Sequence, residues 1–286
     1  MLKKYLSYLG IFILALFSFY YTDKATEIVK RNDPIMKNIN TEKSKYSVKA
    51  VNAIVSDDEI IPGINGISVN TNKSYKQMKK DNNYNTDMYV FEEVCPTISF
   101  INVYSKYIVS GNESRQQVAL IFKIIDSSYL SDLINIFNNK NTVATLFVDG
   151  SVLEKNTDIM LELSHDGFEL ENLGYDVEYL DDKIVWTNNT LSSITNKNPK
   201  YCYTDYKVKE VLKLCSDYHM YTIKPNNIIS NYPFITVKNN LSSGSIISFN
   251  LNNEVIKELP SIISYIKQKG YEIVTLDNLL SEDYNN

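Results

Sequence analysis

Val118-Ala-Leu-Ile-Phe122 and Thr142-Val-Ala-Thr-Leu-Phe-Val-Asp-Gly150 decide how the rest of the chain is read. The first is a continuous apolar run with no alternation, the pattern of a strand covered on both faces. Between the two, Leu130, Leu133, Ile134 and Phe137 fall on one side of a 3.6-residue period, so a helix joins two buried strands. Further along the chain, Ile159, Met160 and Leu163 mark another helix that Gly167 ends. Val208, Val211, Leu212 and Cys215 give a further helix, and Met220–Ile223 a strand. Ser245–Phe249 is apolar again, behind Gly244. The helix of Val255, Ile256, Leu259, Ile262, Ile263 and Ile266 stops at Gly270, and Glu272–Leu276 closes the series. Strands alternating with helices imply a parallel α/β sheet, either a barrel or an open doubly wound sheet.

The order of these pieces resembles the NodB-homology polysaccharide deacetylases. The two opening strands are similar to that family's first two. Asp166-Gly-Phe-Glu-Leu-Glu-Asn172 resembles its Gly-His-Glu-Ile-Gly-Asn-His segment, and Gly244-Ser-Ile-Ile-Ser-Phe-Asn250 its Gly-Ser-Ile-Ile-Leu-Leu-His strand. Leu259-Pro through Tyr265-Ile, then Lys269-Gly-Tyr-Glu-Ile-Val-Thr-Leu-Asp277, is similar to its last helix and strand. The resemblance implies an irregular (β/α) barrel over residues 117–280, with a site at the C-terminal ends of the strands.

It also implies metal-assisted removal of acetyl groups from a glycan. That chemistry needs a divalent ion on one Asp and two His, a second Asp as base and a later His as acid. In this chain the base position is Lys123 and the metal-binding Asp position is Ile124. The His-x-x-x-His pair falls at Leu173 and Val177, and the acid at Asn250. The Arg-Pro-Pro-Tyr-Gly loop corresponds to Cys202-Tyr-Thr-Asp-Tyr206, without its Arg. Only His165 and His219 exist, too far apart for any His-x-x-x-His, and each is expected to face solvent or bond locally. The alternative is a carboxylate site built from Asp126, Asp149, Asp176, Asp181 or Asp182, with apolar neighbours that disfavour an ion. No catalytic residue, cofactor or metal ligand is therefore expected. Tyr175, Tyr179, Trp186 and Tyr203 are expected in loops at the barrel rim. Tyr175, Trp186, Tyr203 and Asn250 are the candidate glycan contacts.

Composition adds limits. The 286 residues are 44% apolar and carry a formal net charge of −5, which argues against nucleic acid or an anionic surface as the main partner. Cys95, Cys202 and Cys215 show no C-x-x-C spacing. Cys202 and Cys215 are expected as two unpaired buried thiols, with pairing in an oxidising compartment as the alternative.

At the N-terminus, Lys3-Lys4 precede an uncharged, mostly apolar run from Tyr5 to Tyr21. At about 1.5 Å per residue it lies at the short end of what spans a bilayer. An uncleaved signal-anchor over residues 1–22 is expected, with a cytoplasmic N-terminus and everything after Asp23 outside; a cleaved signal peptide is the alternative. Residues 23–50 are read as a stalk and 51–116 as a small accessory α+β segment packing on the barrel, with a short helix near Tyr75–Lys80 and strands at Met88–Phe91 and Ile98–Tyr107. Residues 281–286 are a tail. The expected function is a membrane-anchored, extracytoplasmic deacetylase-like domain without catalysis, binding cell-wall polysaccharide or peptidoglycan or scaffolding a protein partner. The alternatives are a working deacetylase with a non-standard site, and an interaction protein whose barrel is a spacer.

Overall fold

The computed structural model describes residues 2–284, with the backbone alone for 2–11, 16, 19 and 23. The chain forms two compact units, one of residues 1–50 and 65–94, the other of 51–64 and 95–286.

The larger unit is built on Gln117–Ile124, which pairs in parallel with Thr145–Val148 on one side and Ile246–Phe249 on the other. From there the sheet continues through Glu169–Asn172, Tyr201–Tyr203, Tyr221–Ile223 and Tyr107–Ile108. Asn227–Ile229 extends the opposite side, and Glu272–Val274 pairs with the first half of Gln117–Ile124. Glu59–Ile61 runs parallel to Tyr107–Ile108, and Ile54–Val55 adds an antiparallel edge. The result is a curled half-barrel of mixed sheet clothed in helices, as the alternation of apolar runs implies.

Side chains alternate across that sheet because successive Cβ atoms point to opposite faces. Val118, Leu120, Phe122 and Ile124 enter the outer core under the helices, while Ala119 and Ile121 join the inner core with Phe147, Tyr201, Tyr203 and Ile223. Phe122 stacks on Phe249 at 5.2 Å and meets Phe137 edge-on at 5.6 Å. Truncating it to Ala would cost about 3–5 kcal/mol. Helix Asn253–Gln268 is capped by the Asn252 side chain and buries Val255, Leu259, Ile262, Ile263 and Ile266. Its apolar stripe is the reason it seals the sheet.

The smaller unit contains helices Leu2–Asn32, Pro34–Glu42 and Thr71–Lys80, with Gly66–Val69 paired antiparallel to Phe91–Val94. Ile35, Ile39, Val69, Met78 and Tyr89 form its own core. This corrects two expected boundaries. Residues 51–116 are not one accessory segment, because 65–94 fold with 33–50 while 51–64 and 95–116 belong to the barrel unit. Residues 33–50 are no bare stalk, since Ile35, Met36 and Ile39 are buried. Ile98–Tyr107 is mostly turns, and strand structure begins only at Tyr107. Among the described residues no helix is long and apolar enough to cross a membrane, so the expected span over 1–22 finds no support there. Most of that run's side chains, those of 2–11, 16 and 19, lie outside the described residues.

Candidate functional site

Strand direction brings the C-terminal ends of Gln117–Ile124, Thr145–Val148, Glu169–Asn172, Tyr201–Tyr203 and Ile246–Phe249 to one mouth. Lys123 has the parity of Ala119 and Ile121, and its ammonium lies 2.7 and 2.9 Å from the two carboxylate oxygens of Asp205. It also sits 5.1 Å above the Tyr203 ring. The Tyr203 hydroxyl donates to Asp205 Oδ1 at 2.6 Å and lies 2.8 Å from Ser248 Oγ. An ionised carboxylate only accepts, so the phenolic proton goes to Asp205 and Ser248 donates to the phenol oxygen. Burial, reinforced by the Asp205 carboxylate, pushes the Tyr203 phenol above its usual range. It is therefore no base for Ser248, which is itself fully buried. Lys123, Asp205, Tyr203 and Ser248 form a closed polar latch with no activated nucleophile.

Ile124 turns away from the mouth into the outer core, 1% exposed. Leu173 is buried in the inner core, and Val177 lies exposed on the following loop. The Asn250 amide donates to Ser230 Oγ at 2.7 Å. Asp149, the most buried of the candidate carboxylates, is fully engaged by the backbone. It accepts from Ser151 N at 2.9 Å, Asp176 N at 3.3 Å and Val177 N at 2.7 Å, and from the Ser151 hydroxyl at 2.6 Å. Asp176 and Val177 both have left-handed backbone, φ +52 and +58, which turns their N–H groups toward that carboxylate. For a β-branched residue this is a strained conformation. Gly174 makes the loop possible, since at φ +80 a Cβ there would lie 2.3 Å from Glu178 O. Asp126 caps the local turn at Ser128 N, and Asp181 accepts from the Tyr218 hydroxyl.

A divalent metal does not fit this mouth. An ammonium already faces the only carboxylate of the latch. Among the described residues, no three His, Cys, Asp or Glu side chains come together in a way that could hold a metal ion. His165 and His219 are both exposed, and His219 meets Tyr104 edge-on.

The candidate glycan contacts are separated by the fold. Tyr203 is no rim residue: it is 3% exposed, with Lys123 over its ring and Phe147 at 5.3 Å. Tyr179 is likewise committed, accepting from Tyr203 N and donating to Asn172 O. Trp186 lies on helix Asp181–Thr195, not in a loop. That helix escaped sequence reading because it is rich in Asn, Thr and Ser, and it buries Thr187 between Ile184 and Leu191 on its inner face. Trp186 is 38% exposed and meets Tyr175 edge-on at 5.2 Å, so these two alone of the four form a solvent-facing aromatic pair. Asp205 and Ser248 were missed; both lie inside quoted segments, and only the crossing of strands reveals that they converge on Lys123.

Cys202 and Cys215 are joined in a disulfide, with Cα atoms 6.4 Å apart. This corrects the expected pair of free thiols. Strand Tyr201–Tyr203 and helix Lys209–Asp217 pack face to face beside Met220, and sequence spacing alone carries no such signal.

The opposite end of the strands holds the titratable groups. Glu169 accepts from Thr145 Oγ1 at 2.6 Å and Leu276 N at 2.8 Å, and Glu171 from Lys200 N and Tyr201 N at 2.8 Å. Asp277 pairs with Lys200 at 2.7 Å and accepts from the Tyr201 hydroxyl at 3.0 Å. Burial pushes the Glu169 carboxyl up to about 7, and raises Glu171 well above the usual range.

Fold and mouth together are similar to those of a polysaccharide deacetylase in which the metal and catalytic positions carry other residues. Residues 110–208 match the family model described as polysaccharide deacetylase. The chain is 23% identical over 279 residues to the uncharacterized protein YlxY of Bacillus subtilis (strain 168), covering 89% of this chain and 86% of that one. Among solved structures it is similar to wild-type BA3943, described as a CE4 family pseudoenzyme from Bacillus anthracis. That match has a TM-score of 0.68 and 21% identity, covering 87% of this chain and 95% of that one. The Bc1960 peptidoglycan N-acetylglucosamine deacetylase shares the fold at a TM-score of 0.56 and 21% identity, over 62% of this chain and 94% of that one.

Proposed function

We propose that this is a membrane-anchored, extracytoplasmic deacetylase-like protein that performs no hydrolysis and holds cell-wall glycan or scaffolds a wall-associated protein. The observation that carries the inactive part is Lys123. Its ammonium stands where the resemblance puts a carboxylate base and pairs with Asp205, so no base is left there, while Ile124, Leu173 and Val177 offer a metal no ligand. The Cys202–Cys215 disulfide supports an oxidising compartment, because such bonds persist outside the cytosol. Lys3-Lys4 ahead of the apolar run support the orientation. The Tyr175–Trp186 pair supports glycan binding, since a sugar's C–H face stacks on exposed aromatic rings.

The test is an acetate-release assay of the full chain on acetylated chitooligosaccharides and peptidoglycan, with zinc or cobalt added. No release above a heat-denatured control is expected; turnover with bound metal in stoichiometric amount overturns the inactive reading. Co-sedimentation with purified cell wall tests the second half, and it should weaken at least several-fold in Trp186→Ala. A chain that does not sediment with wall is not a glycan-binding module.

A further inference from the structure

The net charge of −5 conceals a division. The smaller unit (1–50 and 65–94) carries 13 Lys and Arg against 8 Asp and Glu, net +5, and the barrel unit 16 against 26, net −10. The positive charge has a defined surface. Helix Thr71–Lys80 buries Ser74 and Met78, and Lys73, Lys76 and Lys80 project from the opposite side, all exposed. At 100° per residue these three span about 60° of helix face, centred some 150° from the buried edge. Lys79 alone of the helix's lysines is neutralised, by Asp33 at 2.7 Å. Among the described residues Lys73, Lys76 and Lys80 make no ion pair.

This face is tied to the end of the long N-terminal helix. Lys30 donates to Asn72 Oδ1 at 2.5 Å and lies over the Tyr75 ring at 5.2 Å, and Tyr75 donates to Asp33. Lys30 follows Tyr21, where the apolar run ends, by about 14 Å of helix. The Asn72–Tyr75 end of the lysine face, held to Lys30, lies about one and a half Debye lengths from whatever plane the apolar run enters.

We infer that the Lys73–Lys76–Lys80 face docks on the anionic phosphate headgroups of a phospholipid surface, holding the smaller unit against the membrane. The inference rests on the membrane-anchor reading for its choice of partner. The unpaired charges, their single face and the tie of that helix's N-terminal end to Lys30 carry it, and the acidic barrel unit would be repelled by the same surface.

The experiment uses the full chain with phosphatidylcholine vesicles, with and without phosphatidylglycerol, and follows amine acylation of Lys73, Lys76 and Lys80 against exposed Lys257. Phosphatidylglycerol should slow acylation at the three lysines by on the order of fivefold each, with Lys257 unchanged and the protection lost at high salt. It should also raise vesicle binding, an increment that Lys73→Gln/Lys76→Gln/Lys80→Gln removes and the triple Arg variant keeps. Equal acylation in both vesicles, or an increment that survives the Gln variant, overturns the inference. Insertion into phosphatidylcholine with no phosphatidylglycerol effect does so too, but leaves the anchor reading standing. A lysine-dependent phosphatidylglycerol effect without any binding to phosphatidylcholine upholds the face and removes the anchor. Soluble teichoic acid that protects the same lysines and displaces the chain from vesicles reassigns the face to a wall polymer and overturns the lipid assignment.

Discussion

The two ends of the barrel strands solve opposite problems. At the mouth, Lys123 and Asp205 are only partly buried, at 16% and 33% side-chain exposure, and their charges cancel in the open. At the floor, Glu169 and Glu171 are carboxyls enclosed by backbone N–H groups from the neighbouring strand and the closing segment. The mouth holds the positions at which the resemblance puts chemistry, and its polar residues are a latch. The floor holds the perturbed acids, and they are fasteners: Glu171 ties Lys200–Tyr201 to its own strand, and Glu169 ties Leu276–Asp277 to Thr145. Perturbed carboxyls usually raise the prior for catalysis; here their saturation with main-chain donors points to architecture.

The largest effect is expected at the floor. Glu171→Ala strands two backbone donors and leaves a void, so it should lower unfolding free energy by about 4 kcal/mol in urea titration. A loss below about 1 kcal/mol would mean the floor is no more structural than the mouth. Removing the Cys202–Cys215 bond, by reduction or by Ala at both positions, should cost about 3 kcal/mol, since it closes a short loop between strand and helix.

The pH dependence comes next. A carboxyl whose folded pKa is raised binds its proton more tightly in the native state, so its stability contribution is full below the unfolded value and is lost as pH rises. For Glu169 that window runs from the ordinary glutamate range to about 7. Glu169 alone should lower stability by about 2 kcal/mol from pH 5 to pH 8, and Glu169→Gln should remove that share while the fall that the raised Glu171 carboxyl contributes remains. A profile that rises over that window would contradict the assignment. Smallest is the mouth: Asp205→Ala should cost about 1 kcal/mol, because water screens the Lys123 charge it leaves behind. Lys123→Met with Asp205→Leu should be close to neutral.

The elements legible in the sequence were those with strong periodicity. Val118–Phe122, Thr145–Val148 and the helix ending at Gln268 show themselves because a two-sided strand and an amphipathic helix each impose a pattern that few other structures tolerate. Helix Asp181–Thr195 was illegible because its buried face includes a threonine and its exposed face is Asn- and Ser-rich. Division of 51–116 between two units was illegible as well, since Ile60 and Val69 look equally apolar and only long-range pairing assigns them to different cores.

Lys123, Leu173, Val177 and Asn250 in place of carboxylate and histidines could be read from order alone, because a missing ligand type cannot be restored by folding. What stands in its place could not. That Lys123 meets Asp205, that Ile124 faces away, that Cys202 reaches Cys215 and that lysines of Thr71–Lys80 line one bare face depend on tertiary structure. The chain determines which groups exist and which way each strand alternates. Only the packing of distant segments determines which groups come within a few ångströms, and charge pairing, desolvation and disulfide formation act over that distance alone.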